Sequence, residues 1–380
     1  MEGALENIKG ELQIDKRDWT LTKFGDVAIQ QKKKVDRENT KLTRYVKGEH
    51  MGSEDLHLRS WGDLQDEYLG PAFIRRFDDG DILYGSRRTY LRKVVIAPFS
   101  GITSNTTLVI KANEKKIDRR LLPFVMMSEG FTENSIRNSK GSVNPYINWK
   151  DISKYEFLLP PKDQQAQFSE LLWAMDEVVE REIDLKHKLK IHRDIHFENL
   201  VDESPGKKVK LSQILIPKKE KSQVPHSRNK YIGLEHLESG EFATNNWDST
   251  ESVKAQCNLV NEGDLCYSKL RPYLDKAIIA TFDALSTTEL LIYDTKKVSK
   301  EYVLYHFHSK AFIDYVSSQG FGTKMPRVSH KIIGEYEILV PNNEKEILNQ
   351  MEQLLKVQGV IKSKISSSKA LQKSLINQVF

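Results

Sequence analysis

The chain carries one plan written twice, and that repeat limits its fold more than any other feature. Gly80-Asp81-Ile82-Leu83-Tyr84 returns as Gly263-Asp264-Leu265-Cys266-Tyr267. The match continues without a gap through Arg88-Thr89-Tyr90-Leu91-Arg92-Lys93 against Arg271-Pro272-Tyr273-Leu274-Asp275-Lys276. It closes in Val95-Ile96-Ala97 against Ile278-Ile279-Ala280, at a constant offset of 183 residues. Other blocks recur at nearby offsets. Tyr45-Val46-Lys47-Gly48-Glu49-His50 matches Tyr231-Ile232-Gly233-Leu234-Glu235-His236, and Pro145 through Tyr155 to Pro160 matches Pro326 through Tyr336 to Pro341. A glycine, Gly141 or Gly322, precedes each later block. The order of blocks is the same in both halves. A period this long marks a duplicated domain, since solenoid and propeller repeats run to ~20–50 residues.

Each copy leads into a long helical pattern without proline. The first follows Pro160-Pro161 and spans about Lys162 to Leu200; the second follows Pro341 and spans about Asn343 to Phe380. Proline just ahead of a periodic segment is a helix start signal. In the second, Ile347, Met351, Leu354, Gln358, Ile361, Ile365, Ser368, Gln372, Leu375 and Val379 alternate spacings of four and three, which is a heptad seam with three polar positions. The first stripe, Phe168, Leu172, Met175, Val179 and Ile183, slips near Ile183 and resumes through Leu189 and Leu200, which reads as a stutter. Such helices are rods of roughly 57 Å, longer than one ~34 Å turn of DNA. Neither buries its stripe alone. Antiparallel pairing would place the two modules at opposite ends of one spacer; the alternative is two separate amphipathic helices, each packed on its own module. The expected division is 1–160 for the first module, 161–203 for the central helix, 204–340 for the second module and 341–380 for the pairing helix.

Inside each module the pattern is α+β. Strand-like stretches are Asp81–Tyr84, Lys93–Ala97, Thr107–Ile110 and Tyr155–Leu159, with counterparts Asp264–Tyr267, Lys276–Ala280, Glu289–Tyr293 and Tyr336–Val340. Helical patterns, Arg119–Glu129 and Lys300–Ser317, fall between the third and fourth strands. The regular strand–helix alternation of a Rossmann sheet is missing. With 380 residues and 39% hydrophobic content, each half can bury a core. No apolar run approaches the ~18 residues of a membrane span. Met1-Glu2-Gly3-Ala4-Leu5 lacks the basic-then-apolar layout of a signal peptide. The two cysteines, Cys257 and Cys266, make neither a disulfide framework nor a zinc motif. A cytoplasmic location is expected, with no membrane partner.

The formal net charge is only +5, but the cations are grouped: Lys32-Lys33-Lys34, Arg75-Arg76, Arg87-Arg88, Arg119-Arg120, Lys207-Lys208 and Lys218-Lys219. Such clusters suit a phosphate backbone, or form a solvated face. Three loops per module combine cations with aromatics or amides. The first is the turn after the Gly-Asp strand: Ser86, Arg87, Arg88, Tyr90, Arg92 and Lys93, then Lys269, Arg271, Tyr273 and Lys276. The second is a glycine-containing turn: Lys140, Ser142, Asn144 and Tyr146, then Thr323, Lys324 and Arg327. The third is an early basic segment, Gln30 to Lys34 and then Lys218 to Arg228, with Lys32, Lys33, Lys34, Lys218 and Lys219 as its candidate contacts. Arginine can bond guanine bidentately in the major groove, and either cation neutralises phosphates. Double-stranded DNA is the partner this pattern predicts.

Signatures of catalysis are missing. The sequence has no Gly-x-x-x-x-Gly-Lys-Ser/Thr loop. Asn144-Pro145-Tyr146 is close to the Asn-Pro-Pro-Tyr motif of amino-methyltransferases, but lacks the second proline and is replaced by Pro326-Arg327 in the other copy. Gly320-Phe321-Gly322 is a fragment of a dinucleotide loop and follows a helix. Glu49-His50 and Glu235-His236 are candidate acid–base pairs or shapers of a strand-end turn, and the turn is the expectation. His192 and His196 stand four apart on a helix without a third ligand nearby in sequence, so a packed or solvated face is expected. No catalytic, cofactor or metal residue is assigned.

Together these features resemble the specificity (S) subunit of type I restriction–modification systems. The resemblance spans nearly the whole chain. It rests on the double module, on the two Gly-Asp strands, and on Leu158-Leu159-Pro160-Pro161-Lys162-Asp163-Gln164-Gln165 opening the first long helix. Ile338-Leu339-Val340-Pro341-Asn342-Asn343-Glu344-Lys345 is a weaker form of the same opening. The resemblance implies two target recognition domains separated by two long antiparallel coiled-coil helices. Each domain would read one half of a bipartite, asymmetric DNA target. The helices would set the spacing and dock two modification subunits, which carry S-adenosylmethionine and methylate adenine. Restriction subunits with ATP- and Mg-dependent translocation would join for cleavage. The chain itself would be non-catalytic. Self-association without partners stays open. The competing reading is a coiled-coil scaffold with duplicated protein-binding modules.

Overall fold

The computed structural model describes residues 14–36, 39–66, 68–322 and 325–380. The start at Met1–Leu5 and the candidate contacts Thr323 and Lys324 lie outside the described residues. The chain divides into two units, Met1–Ile183 with Ser363–Phe380, and Asp184–Lys362, so each unit takes in a share of both long helices.

In the first unit an antiparallel sheet has the strand order Ala28–Gln31, Thr107–Ala112, Ile82–Gly85, Val94–Ile96. In the second unit the order is Leu215–Lys218, Leu290–Thr295, Leu265–Ser268, Ala277–Ile279, which is the same sheet built from the repeated blocks. The register repeats as well: Ile82 faces Ile96 and Ile110, and Leu265 faces Ile279 and Tyr293. A second sheet in each unit contains one parallel pair, Arg44–Val46 with Gly101–Ser104 and Lys230–Ile232 with Ala284–Ser286. A two-stranded ribbon, Thr20–Lys23 with Glu156–Leu159 or Gly206–Lys210 with Glu337–Pro341, ties each module to the start of its following helix.

All eight expected strands are present, shifted by one or two residues. The expected pattern Lys300–Ser317 splits into Lys300–His308 and Lys310–Ser318, whereas Arg119–Glu129 holds Leu122–Met127 and is followed by a further helix, Glu129–Arg137, that the pattern did not include. The break is a serine in both copies. Ser128 accepts from the Phe131 N–H and Ser309 from the Phe312 N–H, each at 3.3 Å, so each serine caps a new helix. The capped helices deliver matched aromatics to the sheet: Tyr84 meets Phe131 edge-on, and Tyr267 meets Phe312 edge-on, both at 5.8 Å.

The Gly-Asp motif has a local cause. Gly80 and Gly263 both sit at φ +80°, which side chains disfavour. The following aspartate is buried and folds back on its own turn, accepting from the Asp78 N–H or the Asn261 N–H at 2.8 Å. Each carboxylate also has a cation, Lys111 at 3.3 Å from Asp81 and Lys218 at 2.8 Å from Asp264.

The long helices span Lys162–Asp202 and Glu344–Val379. In the first unit Leu172 shares a core with Leu375, Ile376 and Val379, and Phe168 and Met175 pack against it. As the first helix advances from Asp176 to Glu182, its partners on the second recede from Gln372 to Lys364, so the helices run antiparallel there. In the second unit Phe197 and Val201 share a core with Ile347 and Met351, and Arg193 donates to Gln358 at 3.0 Å. Every expected seam position of the second helix is buried or half-buried. The expected stutter in the first helix is not there. Gln165, Ser169, Leu172, Asp176, Val179, Ile183, Lys186, Lys190, Arg193, Phe197 and Leu200 keep strict four–three spacing, and all are buried or half-buried. The slip arose because polar residues occupy six of those eleven positions, which a search for apolar residues skips.

Candidate nucleic-acid interface

In each unit the turn after the Gly-Asp strand adopts one unusual conformation. Arg88 and Arg92 bracket the short 3₁₀ turn Thr89–Leu91 at φ +51°, and Arg271 and Asp275 bracket Pro272–Leu274 at φ +50° and +51°. The turn locks onto the glycine-containing loop by matching bonds. The Arg88 N–H donates to the Pro145 carbonyl at 2.6 Å, and the Arg271 N–H to the Pro326 carbonyl at 2.7 Å. Arg87 bridges Tyr146, and Leu270 bridges Arg327. The first two candidate loops therefore form one surface in each module. Tyr90 and Tyr273 stand at its tip, each 52% exposed.

The third candidate loop leaves the same end of the sheet. Gln31 pairs with Val109, two pairs along from the Gly85–Thr107 end of the neighbouring ladder, and Lys32, Lys33 and Lys34 follow it, exposed. The segment continues along the second sheet, where Lys34 bridges Arg75 and Lys33 lies 3.4 Å from Asp78. In the second unit Lys218, Lys219 and Lys269 line one recess of about 360 Å³ with Lys221, Asn258 and His330. Burial and the Lys219 charge both hold His330 below the usual histidine range, which leaves the cationic character of the recess to its lysines.

Several candidates also hold internal partners. Ser86 is buried and donates to the Thr106 carbonyl at 2.5 Å. Arg92 is held between Glu54 at 2.9 Å and Glu129 at 2.8 Å. Lys93 donates to the Gly48 carbonyl at 2.5 Å and Lys276 to the Leu234 carbonyl at 2.6 Å, equivalent bonds in the two copies. Lys218 is engaged by Asp264. A lysine has the same composition whether it grips a carbonyl or a phosphate, so sequence could not separate the two. The exposed candidates are Lys32, Lys33, Lys34, Arg87, Arg88, Tyr90, Lys140, Ser142, Asn144, Tyr146, Lys219, Arg271 and Tyr273, with Lys269 and Arg327 half-buried beside them. Lys140 lies 3.2 Å from Asp151, and Arg327 lies 3.2 Å from Glu289.

The histidines expected to shape turns do so. The His50 Nδ1 accepts from the Lys47 N–H at 3.1 Å and the His236 Nδ1 from the Gly233 N–H at 2.9 Å, so each ring closes its own strand-end turn. His192 and His196 stack on the helix surface at 5.9 Å.

One repeated feature was missed. Arg44 lies over the rings of Trp61 and Phe99, at 5.4 and 4.8 Å, and Lys230 lies over Trp247 and Phe282, at 5.3 and 4.6 Å. Both tryptophans are partly exposed. They are separated by 186 residues, the offset that relates Tyr45 to Tyr231, so the repeat itself could have found them.

Comparison with known proteins converges on one family. Residues 16–191 match the type I restriction modification DNA specificity domain. The specificity subunit of the Escherichia coli type I restriction enzyme EcoDI is 22% identical over 339 residues, covering 78% of this chain and 72% of that protein. The specificity subunit of the Methanocaldococcus jannaschii enzyme MjaVIII is 20% identical over 405 residues, covering 93% of this chain and 90% of that protein. A chain solved in a study of assembly and conformational transition of the type I restriction–modification system superposes with a TM-score of 0.50 at 15% identity, over 95% of this chain and 97% of that one.

Proposed function

Taking as premise that this chain belongs to the specificity subunits of type I restriction–modification systems, we propose that its two modules read the two halves of an asymmetric DNA target through the loop surfaces described above. The chain is the non-catalytic recognition subunit. The observation that carries the proposal is the repeated platform: in each unit the 86–93 or 269–276 turn locks onto the glycine-containing loop, and exposed cations and a tyrosine project from it. Cations in such an array bind phosphates, and the amides, hydroxyls and aromatics among them are base-edge readers. The chemistry of the surface differs between copies, which is why two unlike half-sites are proposed.

The long helices would set the half-site spacing and dock two modification subunits, with restriction subunits joining that assembly. Exposed apolar residues on the first helix support docking: Leu171 and Val178 in the first unit, and Leu185, Ile191 and Ile195 in the second. S-adenosylmethionine, ATP and Mg would be held by those partners. The protein would act in the cytoplasm. The test is to assemble the chain with its modification partner and select from random-sequence duplexes at several salt concentrations. A bipartite consensus is expected, and selection without sequence preference refutes the proposal.

A further inference from the structure

Resting on that reading, we propose that Arg88 and Arg271 grip a backbone phosphate that both half-sites have in common, whereas the diverged residues packed around them read bases. The residues of the platform fall into two sets. Arg88 and Tyr90 are kept as Arg271 and Tyr273, with the same exposure at the tyrosines. Arg87 becomes Leu270, Lys140 becomes Phe321, and Tyr146 becomes Arg327 at the bridge positions that surround the turn. A position that reads a base must change when the base changes. A position that holds a phosphate need not, because every half-site offers the same phosphate.

Packing does not account for the retained arginines, since both are exposed. Backbone geometry argues against them. A non-glycine residue at φ near +50° costs roughly 1 kcal/mol, and glycine or asparagine would relieve the strain. Arginine nevertheless stands there in both copies, at φ +51° and +50°. Its conformation is fixed bond for bond: the Leu91 N–H donates to the Arg88 carbonyl at 2.8 Å, and the Leu274 N–H to the Arg271 carbonyl at 2.9 Å. In the first copy the guanidinium is also aimed, its Nε donating to Asn144 Oδ1 at 2.9 Å, which leaves its other donors for a ligand. Strain retained twice, at an exposed cation, is explained by a ligand that needs the cation.

The test uses the full chain assembled with its modification subunits and a random-sequence duplex library. Asparagine tolerates the left-handed backbone, so Arg88→Asn and Arg271→Asn remove the charge without removing the turn. Each variant is expected to keep the wild-type consensus in both half-sites. Each should weaken binding to all duplexes alike and lower the slope of log affinity against log salt by about 0.9, with the double variant losing about twice that. Arg327→Ala and Tyr146→Phe serve as the contrast: each should alter the bases selected in one half-site only. A changed consensus in Arg88→Asn or Arg271→Asn, or an unchanged salt slope, overturns the inference while leaving bipartite recognition intact. A wild-type complex that selects no sequence overturns the recognition reading itself.

Discussion

Replacing Arg193 should cost the second unit heavily. Arg193 is 1% exposed. Its Nη1 donates to Gln358 at 3.0 Å, its Nε and Nη2 donate to Asp194 at 2.9 and 2.6 Å, and its guanidinium lies 4.6 Å from the Phe242 ring centre. Arg193→Ala leaves a buried Gln358 oxygen without its donor, at about 1–3 kcal/mol. It also removes a desolvated cation–π contact of up to about 2 kcal/mol and the packing of the arginine stem. Together these put the alanine cost at about 2–4 kcal/mol. Arg193→Met removes the charge but fills the space, so it should cost roughly half as much. Pairing it with Gln358→Leu should recover most of the loss, because an apolar pair of similar volume commonly equals or exceeds a buried polar one. Urea unfolding of the full chain followed by far-ultraviolet circular dichroism reads all three. An alanine cost below about 1 kcal/mol, or methionine as damaging as alanine, would show that the guanidinium contacts do not hold the seam.

Three further outcomes are expected. His306 is buried and held down to about 3 by desolvation, so the unfolded chain takes up a proton below about pH 6.5 that the folded one refuses; stability should fall as pH drops from about 6.5 toward 3, and His306→Phe should flatten that limb of a urea-midpoint series. His57 has the opposite sign: its hydrogen bond to Asp176 at 2.7 Å, above all, raises it, so its contribution is complete below about pH 6.5 and is lost as pH rises through the raised value, a loss that His57→Gln should abolish. Gly359 lies exposed within the second long helix with nothing within 4 Å of an added Cβ, so Gly359→Ala should stabilise by about 0.5–1 kcal/mol, whereas Gly263→Ala, at φ +80°, should destabilise by a similar amount in the same denaturation assay.

The duplicated sheet and the second helix seam were legible in the sequence because both are written in apolar spacing. The first helix seam was legible only in part. Asp176, Lys186, Lys190 and Arg193 sit in it, and what permits them there comes from elsewhere in the chain: His57 for Asp176, Glu241 for Lys186, Asp275 for Lys190. A polar seam residue is invisible to periodicity until its partner is known. The second sheet was missed for a different reason. Its strands are short, as Arg44–Val46 and Gly62–Asp63 show, and gain their order from pairing across long stretches of sequence.

The candidate site shows what a repeat can and cannot separate. Lys93 and Lys276 recur because they brace a turn; Arg88 and Arg271 recur without a packing reason; Gly80 and Gly263 recur because of a dihedral angle. Recurrence alone gives all three the same weight. Burial and bonding then divide them. Lys93 and Lys276 are each bonded to a carbonyl of their own module, whereas Arg88 and Arg271 are exposed on a strained backbone. The diverged positions gain meaning only after that division, since Tyr146 and Arg327 are comparable only because Pro145 and Pro326 accept the same bond from the same turn. The shared skeleton of bonds aligns the two surfaces, and the differences set upon it are where two unlike half-sites would be told apart.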